Sequence, residues 1–159
     1  MTEKQFQRIF EWAKKTPGRK KRILFLDKWL PWAVALIFAC FSAICLFKGV
    51  PLDRLWLRPA LCFVTVSLLR IVFDKERPYD RLGFRPLADF TPGKGKSFPS
   101  RHTACAFAIG FSVLKLSLLW GILCLAAAFL IGCLRVICGL HDPQDVLGGV
   151  LFAIVFEIF

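Results

Sequence analysis

Long apolar runs alternate with short polar breaks along most of this chain. The runs cover residues 30–47, 55–73, 101–119, about 122–138 and 143–159. Each is close to the ~20 apolar residues that a helix needs to cross a bilayer. Trp29 and Trp32 stand where the first run begins, as interfacial anchors do. The last run is short, roughly 25 Å at 1.5 Å per residue. Strict alternation of apolar and polar residues is absent, which excludes a barrel. Ahead of the runs, residues 1–28 carry nine lysines and arginines, with Phe6, Ile9, Phe10 and Ala13 at helical spacing. This pattern predicts a short amphipathic helix on the membrane surface, broken at Pro17-Gly18. The fold expected is all-α: a polytopic membrane helical bundle of about five transmembrane helices plus an N-terminal amphipathic interfacial helix. Residues 1–28 form the basic segment and 29–159 the membrane domain.

Composition sharpens this picture. The chain is 57% hydrophobic over 159 residues, with net charge +11. The basic residues flank apolar runs, so anionic lipid explains them better than nucleic acid, for which there is no motif. Cys40, Cys45, Cys62, Cys105, Cys124, Cys133 and Cys138 all fall in apolar runs, are odd in number and form no Cys-x-x-Cys. Buried free thiols are expected rather than disulfides or a zinc site. The charge of residues 1–28 argues against a cleavable signal peptide.

Three polar islands interrupt the apolar pattern. The first is Arg70-x6-Arg77-Pro78, where Arg70 lies one helical turn inside a span. A charge there is costly unless it has a task, and guanidinium groups grip phosphate oxygens bidentately. The second is Ser97-Phe98-Pro99-Ser100-Arg101-His102 at the start of the third run. Ser97 or Ser100 can cap that helix and Pro99 suits its first turn, so its N-terminus offers free N–H groups to an anion. The third is Arg135-x5-His141-x3-Asp145. Asp142 and Pro143 suit the cap and first position of the last helix, placing Asp145 one turn after His141. A carboxylate there fixes the imidazole tautomer and frees the other nitrogen to attack. The long polar loop 74–100 and the 135–145 turn share a membrane face with residues 1–28 when five spans are counted.

In this order and spacing, the islands resemble the three signature motifs of the type-2 phosphatidic acid phosphatase superfamily, over about residues 70–150. The resemblance implies a membrane lipid phosphatase without metal or other cofactor. His141 would attack phosphorus and form a phosphohistidine, and Asp145 would orient it. His102 would protonate the leaving oxygen and then activate water. Arg70, Arg77 and Arg135, with Ser100 and the Arg101 N–H, would hold the phosphoryl oxygens. The substrate implied is a polyprenyl phosphate or pyrophosphate first, then phosphatidate or phosphatidylglycerol phosphate.

The chain departs from that pattern in four places. Arg70 replaces the usual lysine, Arg101 the common glycine, and Leu134 a serine before Arg135. Two spans, not three, precede the first motif, and the N-terminal amphipathic helix takes the place of the missing one. Of 22 basic residues, 18 fall on or near the face of the islands and four, Lys48, Arg54, Arg58 and Lys115, on the other. The positive-inside rule then makes the face with the islands cytoplasmic. Three other readings stay open on the residues: a phosphotransferase of the same family, a metal site built from His102, His141, Asp142 and Asp145, and a non-catalytic membrane protein whose arginines meet only headgroups.

Overall fold

The computed structural model describes residues 1–93 and 95–158, and only the backbone at Arg54. Lys94 of the expected basic loop and Phe159 at the end of the last run lie outside the described residues. So does the Arg54 side chain.

Among the described residues the chain is helical without strands. The order is α1 (Glu3–Lys14), α2 (Pro17–Phe47), α3 (Asp53–Phe73), α4 (Pro78–Leu82), α5 (Arg101–Leu114), α6 (Leu118–Ile137) and α7 (Pro143–Ile158). Stretches within α2, α3 and α6 are long and apolar enough to cross a membrane. At 14 and 16 residues, α5 and α7 run only about 21 and 24 Å. α5 lies at the centre, against α2, α3, α6 and α7. Its buried face is built from Ala104, Ala106, Ala108, Gly110 and Ser112, whose small side chains let neighbouring helices approach.

Three boundaries differ from the sequence expectation. The first long helix starts at Pro17 rather than residue 30, because Pro17 sits in its first turn and the basic segment continues as helix. α5 stops at Leu114, five residues early, and the turn falls at Lys115–Ser117 instead of Trp120-Gly121. Gly121 is needed inside α6: a Cβ there would overlap the Leu114 backbone. The loop 74–100 also contains the short helix α4, begun by Pro78.

The amphipathic helix forms as expected, closed at its N-terminus by a capping box between Thr2 and Gln5. Its apolar stripe faces the protein's own polar end rather than lipid. Phe6, Phe10 and Ala13 are buried with Tyr79, Phe84, Leu134, Cys138 and Leu140. The loop and the α6–α7 turn thus supply an apolar socket for it. The seven cysteines are free thiols; Cys40 is exposed, unlike the expected burial, because it lies on an outward face of α2.

At the opposite end, Arg58 and Lys115 both pair with Glu157. This brings the start of α3 and the ends of α5 and α7 to one level, as alternating spans require.

One local motif aims the third island. α6 ends at Cys138, and Gly139 follows in the left-handed region at φ +77°. The Leu140 N–H donates to the Arg135 carbonyl at 3.0 Å and the Gly139 N–H to Val136 at 2.9 Å. This is a Schellman ending. It turns the chain so that His141 emerges beside Arg135. A Cβ on Gly139 would also come within 2.7 Å of Phe10 and 2.9 Å of Phe84. Gly139→Ala is therefore expected to cost about 1–2 kcal/mol through backbone strain and the displaced α1. Gly18→Ala, which meets no atom within 4 Å, should be neutral or slightly stabilising. Thermal unfolding of both variants in detergent checks the contrast.

Candidate active site

The three islands meet around one carboxylate. Asp145 sits in the first turn of α7 and is fully buried. Its Oδ1 accepts from Lys75 Nζ at 2.6 Å, and its Oδ2 from Ser97 Oγ at 2.6 Å and from the Asp142 N–H at 3.0 Å. The Ser100 N–H donates to its backbone carbonyl at 2.8 Å. Each island thus contributes a donor.

His141 lies next to this carboxylate, 2% exposed. Its Nδ1 is 3.6 Å from Asp145 Oδ2 and 3.4 Å from Ser97 Oγ. Because Ser97 already donates to Asp145, its oxygen is free to accept from the Nδ1–H. The chain of contacts runs from imidazole to hydroxyl to carboxylate, where the sequence suggested a direct pair. This arrangement leaves Nε2 unprotonated, as a nucleophile needs.

The two arginines of the first island brace the site. Arg70, nearly buried, donates to the Pro99 carbonyl at 3.0 Å. Arg77 donates to the carbonyls of Gly95 and Leu140 at 3.2 and 3.3 Å. Arg70 therefore ties α3 to the loop before α5, and Arg77, at the start of α4, ties its own segment to that loop and to the turn before α7. Ser100 occupies the cap position of α5, but its hydroxyl pairs with Thr103 Oγ1 at 3.0 Å rather than with a helix N–H. Asp142 differs from its expected role as well. Its carboxylate accepts from Arg81 and the Met1 ammonium, both at 2.9 Å. The reach back to the N-cap position is made by Asp145 instead.

Arg101, His102 and Arg135 line a cavity of about 780 Å³ between α2, α3, α5 and α6. Its polar end also holds Asp27, and its walls include Val34, Phe63, Ala106 and Ile109. The Arg101 guanidinium lies over the Phe63 ring at 5.5 Å. Arg70, Arg101, Arg135 and His141 are the charged or titratable neighbours of His102. The structure thus gathers all eight sequence-derived residues at one end of the bundle. It divides them between a buried cluster around His141 and Asp145 and a cavity reached by His102, Arg101 and Arg135. Among the described residues, no three His, Cys, Asp or Glu side chains converge on a metal-binding position.

Lys75 and Ser97 act on Asp145 in ways the sequence reading missed. Lys75 lies inside the Arg70-x6-Arg77 spacer, and nothing in that spacing singles it out. In the sequence Ser97 stands as a cap candidate and a hydroxyl of the second island, with nothing linking it to Asp145. Asp27 is one of three acids in residues 1–28, with Glu3 and Glu11, and nothing in the sequence singles it out.

Comparisons with known proteins supply the family. The family model described as "PAP2 superfamily" matches residues 32–159. The chain belongs to the PAP2 superfamily. A protein named bacitracin transport permease protein BcrC, from Bacillus licheniformis, is 40% identical over 63 residues. That stretch is 40% of this chain and 31% of the relative, so the match spans under a third of the relative's length. Within the PAP2 frame, this chain is a helical membrane protein whose three motifs share one end of the bundle.

Burial sets the protonation of His141. Its pKa is lowered from 6.5 to about 4, first by burial and then by Arg77 and Arg70, against the upward pull of Asp145. The imidazole is neutral at pH 7. Below pH 6.5 the unfolded chain takes up a proton that the folded chain refuses, so stability falls as pH drops from 6.5 to 4. The loss from this one group amounts to about 3 kcal/mol. Unfolding of the detergent-solubilised protein across that range should show it, and His141→Asn should flatten the dependence.

Proposed function

We propose that this protein is a metal-independent phosphatase acting on a lipid phosphate or pyrophosphate through a phosphohistidine. The observation that carries this reading is the buried His141–Ser97–Asp145 chain, set among arginines beside a cavity that His102 reaches. His141 Nε2 attacks phosphorus. Asp145, through Ser97, stabilises the imidazolium character that develops. His102 protonates the leaving oxygen, then takes a proton from the water that cleaves the phosphohistidine. Arg70, Arg77 and Arg135, with the N–H groups at the start of α5, receive the charge on the phosphoryl oxygens. Arginine supplies the positive charge that a metal ion supplies in other phosphatases.

A cavity polar at one end and apolar along its walls suits a substrate with a phosphorylated head and a hydrocarbon tail. The number of guanidinium groups favours a diphosphate head, and a polyprenyl pyrophosphate comes first among candidates. The site face is assigned to the cytoplasm from the distribution of lysine and arginine. The name of the Bacillus relative offers transport as a second reading, under which the loss of His141 would leave the cellular role intact.

The test is phosphate release by detergent-purified protein from a polyprenyl pyrophosphate, phosphatidate and phosphatidylglycerol phosphate. Release is expected to survive EDTA and fall with orthovanadate. His141→Ala should lower it by at least about 10³-fold, the scale seen when a nucleophile is removed. Ser97→Ala should lower kcat by about 10–100-fold with the smaller part of the effect in KM. Release abolished by EDTA, or unchanged by His141→Ala, would overturn the reading.

A further inference from the structure

Arg135 is held by a residue that the three motifs do not include. Asp27, on α2, is 7% exposed and faces Arg135, on α6, across the polar end of the cavity. The Arg135 side chain is 12% exposed. Its Nε lies 3.4 Å from Asp27 Oδ1, and a terminal nitrogen donates to the Asp27 carbonyl at 3.2 Å. Asp27 Oδ1 and Arg135 Nε are both buried without a hydrogen-bond partner. They are close enough for attraction but not joined by a hydrogen bond. Two opposite charges buried this way without a hydrogen bond between them are costly unless the arrangement serves something beyond their mutual attraction.

Geometry says what it serves. The guanidinium is anchored on its α2 side by the carbonyl and carboxylate of a single residue. The Arg135 side chain also lines the cavity, as His102 does. A fork fixed on one edge presents the other in a set plane, which bidentate binding of a phosphoryl group requires. Asp27 also lies ahead of residue 32, where the PAP2 match begins. The N-terminal part of the chain, read only as a basic membrane segment, thus reaches the phosphate site.

We propose that Asp27 is a positioning residue for Arg135: its carboxylate and carbonyl orient the guanidinium toward the phosphoryl group of the substrate. The proposal rests on the phosphatase reading for its consequence in turnover. Its binding consequence is independent of turnover, because inorganic orthovanadate probes the same fork.

The experiment uses the full chain in detergent with Asp27→Asn, Asp27→Glu and Arg135→Met, and Asp27→Asn combined with Arg135→Met. Asp27→Asn should lower kcat/KM by about 10–100-fold, the usual cost of losing such a support. It should weaken orthovanadate, measured by inhibition and by thermal shift, by a similar factor. Asp27→Glu keeps the charge and should recover part of both. Should the asparagine variant fail to fold, the glutamate variant carries the test, with a smaller loss in both readouts. In the Arg135→Met background, Asp27→Asn should have no further effect, since the residue acts through Arg135.

A lowered melting temperature with kcat/KM and orthovanadate binding within twofold of the wild type would overturn the proposal, leaving a structural ion pair. The full Asp27→Asn loss persisting without Arg135 would overturn it too. Wild-type protein that binds orthovanadate but cleaves no lipid phosphate would sink the phosphatase reading alone. Asp27 would then be judged on the thermal shift.

Discussion

A single buried carboxylate holds the polar end of this bundle together. Asp145 cannot be ionised inside a protein without donors, and donors arrive from three distant parts of the chain: Lys75, Ser97 and the Asp142 N–H. Removing any one leaves a charge less than fully met. The requirement therefore fixes the register of the 74–100 loop against α7. The same requirement places His141 one helical turn away, beside Ser97. Structural support and the preparation of the proposed nucleophile would then rest on the same set of hydrogen bonds.

Backbone proximity makes that convergence possible. Gly149 lies so close to α5 that a Cβ would stand 2.7 Å from the Ser100 carbonyl, and Gly148 is covered by the Phe98 ring. The small residues of α5 act in the same sense. Membrane helices gain little from burying apolar side chains against each other, so close packing of small residues becomes a main source of association. In this chain that packing also sets the distance between the second and third islands. Arg70 and Arg77 complete the frame by donating to carbonyls of the neighbouring segments. An arginine bound to a carbonyl keeps donors in reserve, so bracing and phosphate binding do not exclude one another.

Much of this was legible in the sequence because it depends on period and spacing. Apolar runs near 20 residues gave the helices, and the offsets Arg70–Arg77 and His141–Asp145 gave residues that the fold brings together. What was not legible depended on packing between segments. Nothing local to Gly121 says that Leu114 will press on it, so the α5–α6 turn was placed too late. Phe6 and Phe10 look lipid-facing until Phe84 and Leu140 are known to form a socket. Lys75 and Asp27 became visible only through partners 70 and 108 residues away. The Arg101 side chain, where the second motif commonly has glycine, lies over the Phe63 ring.

The charge distribution can be weighed again with the structure in hand. Site cations would be basic wherever the site faced, so they inflate any count that assigns sidedness. Setting aside Arg70, Lys75, Arg77, Arg101 and Arg135 leaves 13 basic residues on the near face against four on the far one. Two of those four, Arg58 and Lys115, share the Glu157 carboxylate and are partly neutralised there. The near face has no such compensation for the run Arg19-Lys20-Lys21-Arg22, which leads into α2. The asymmetry persists after the site is discounted and grows when the ion pairs among the described residues are counted, so it does not arise from the site cations alone. It also gives α1 and the start of α2 two roles. They carry a cluster of basic residues at the near face, and through Phe10 and Asp27 they touch the turn and the arginine on which the proposed chemistry depends.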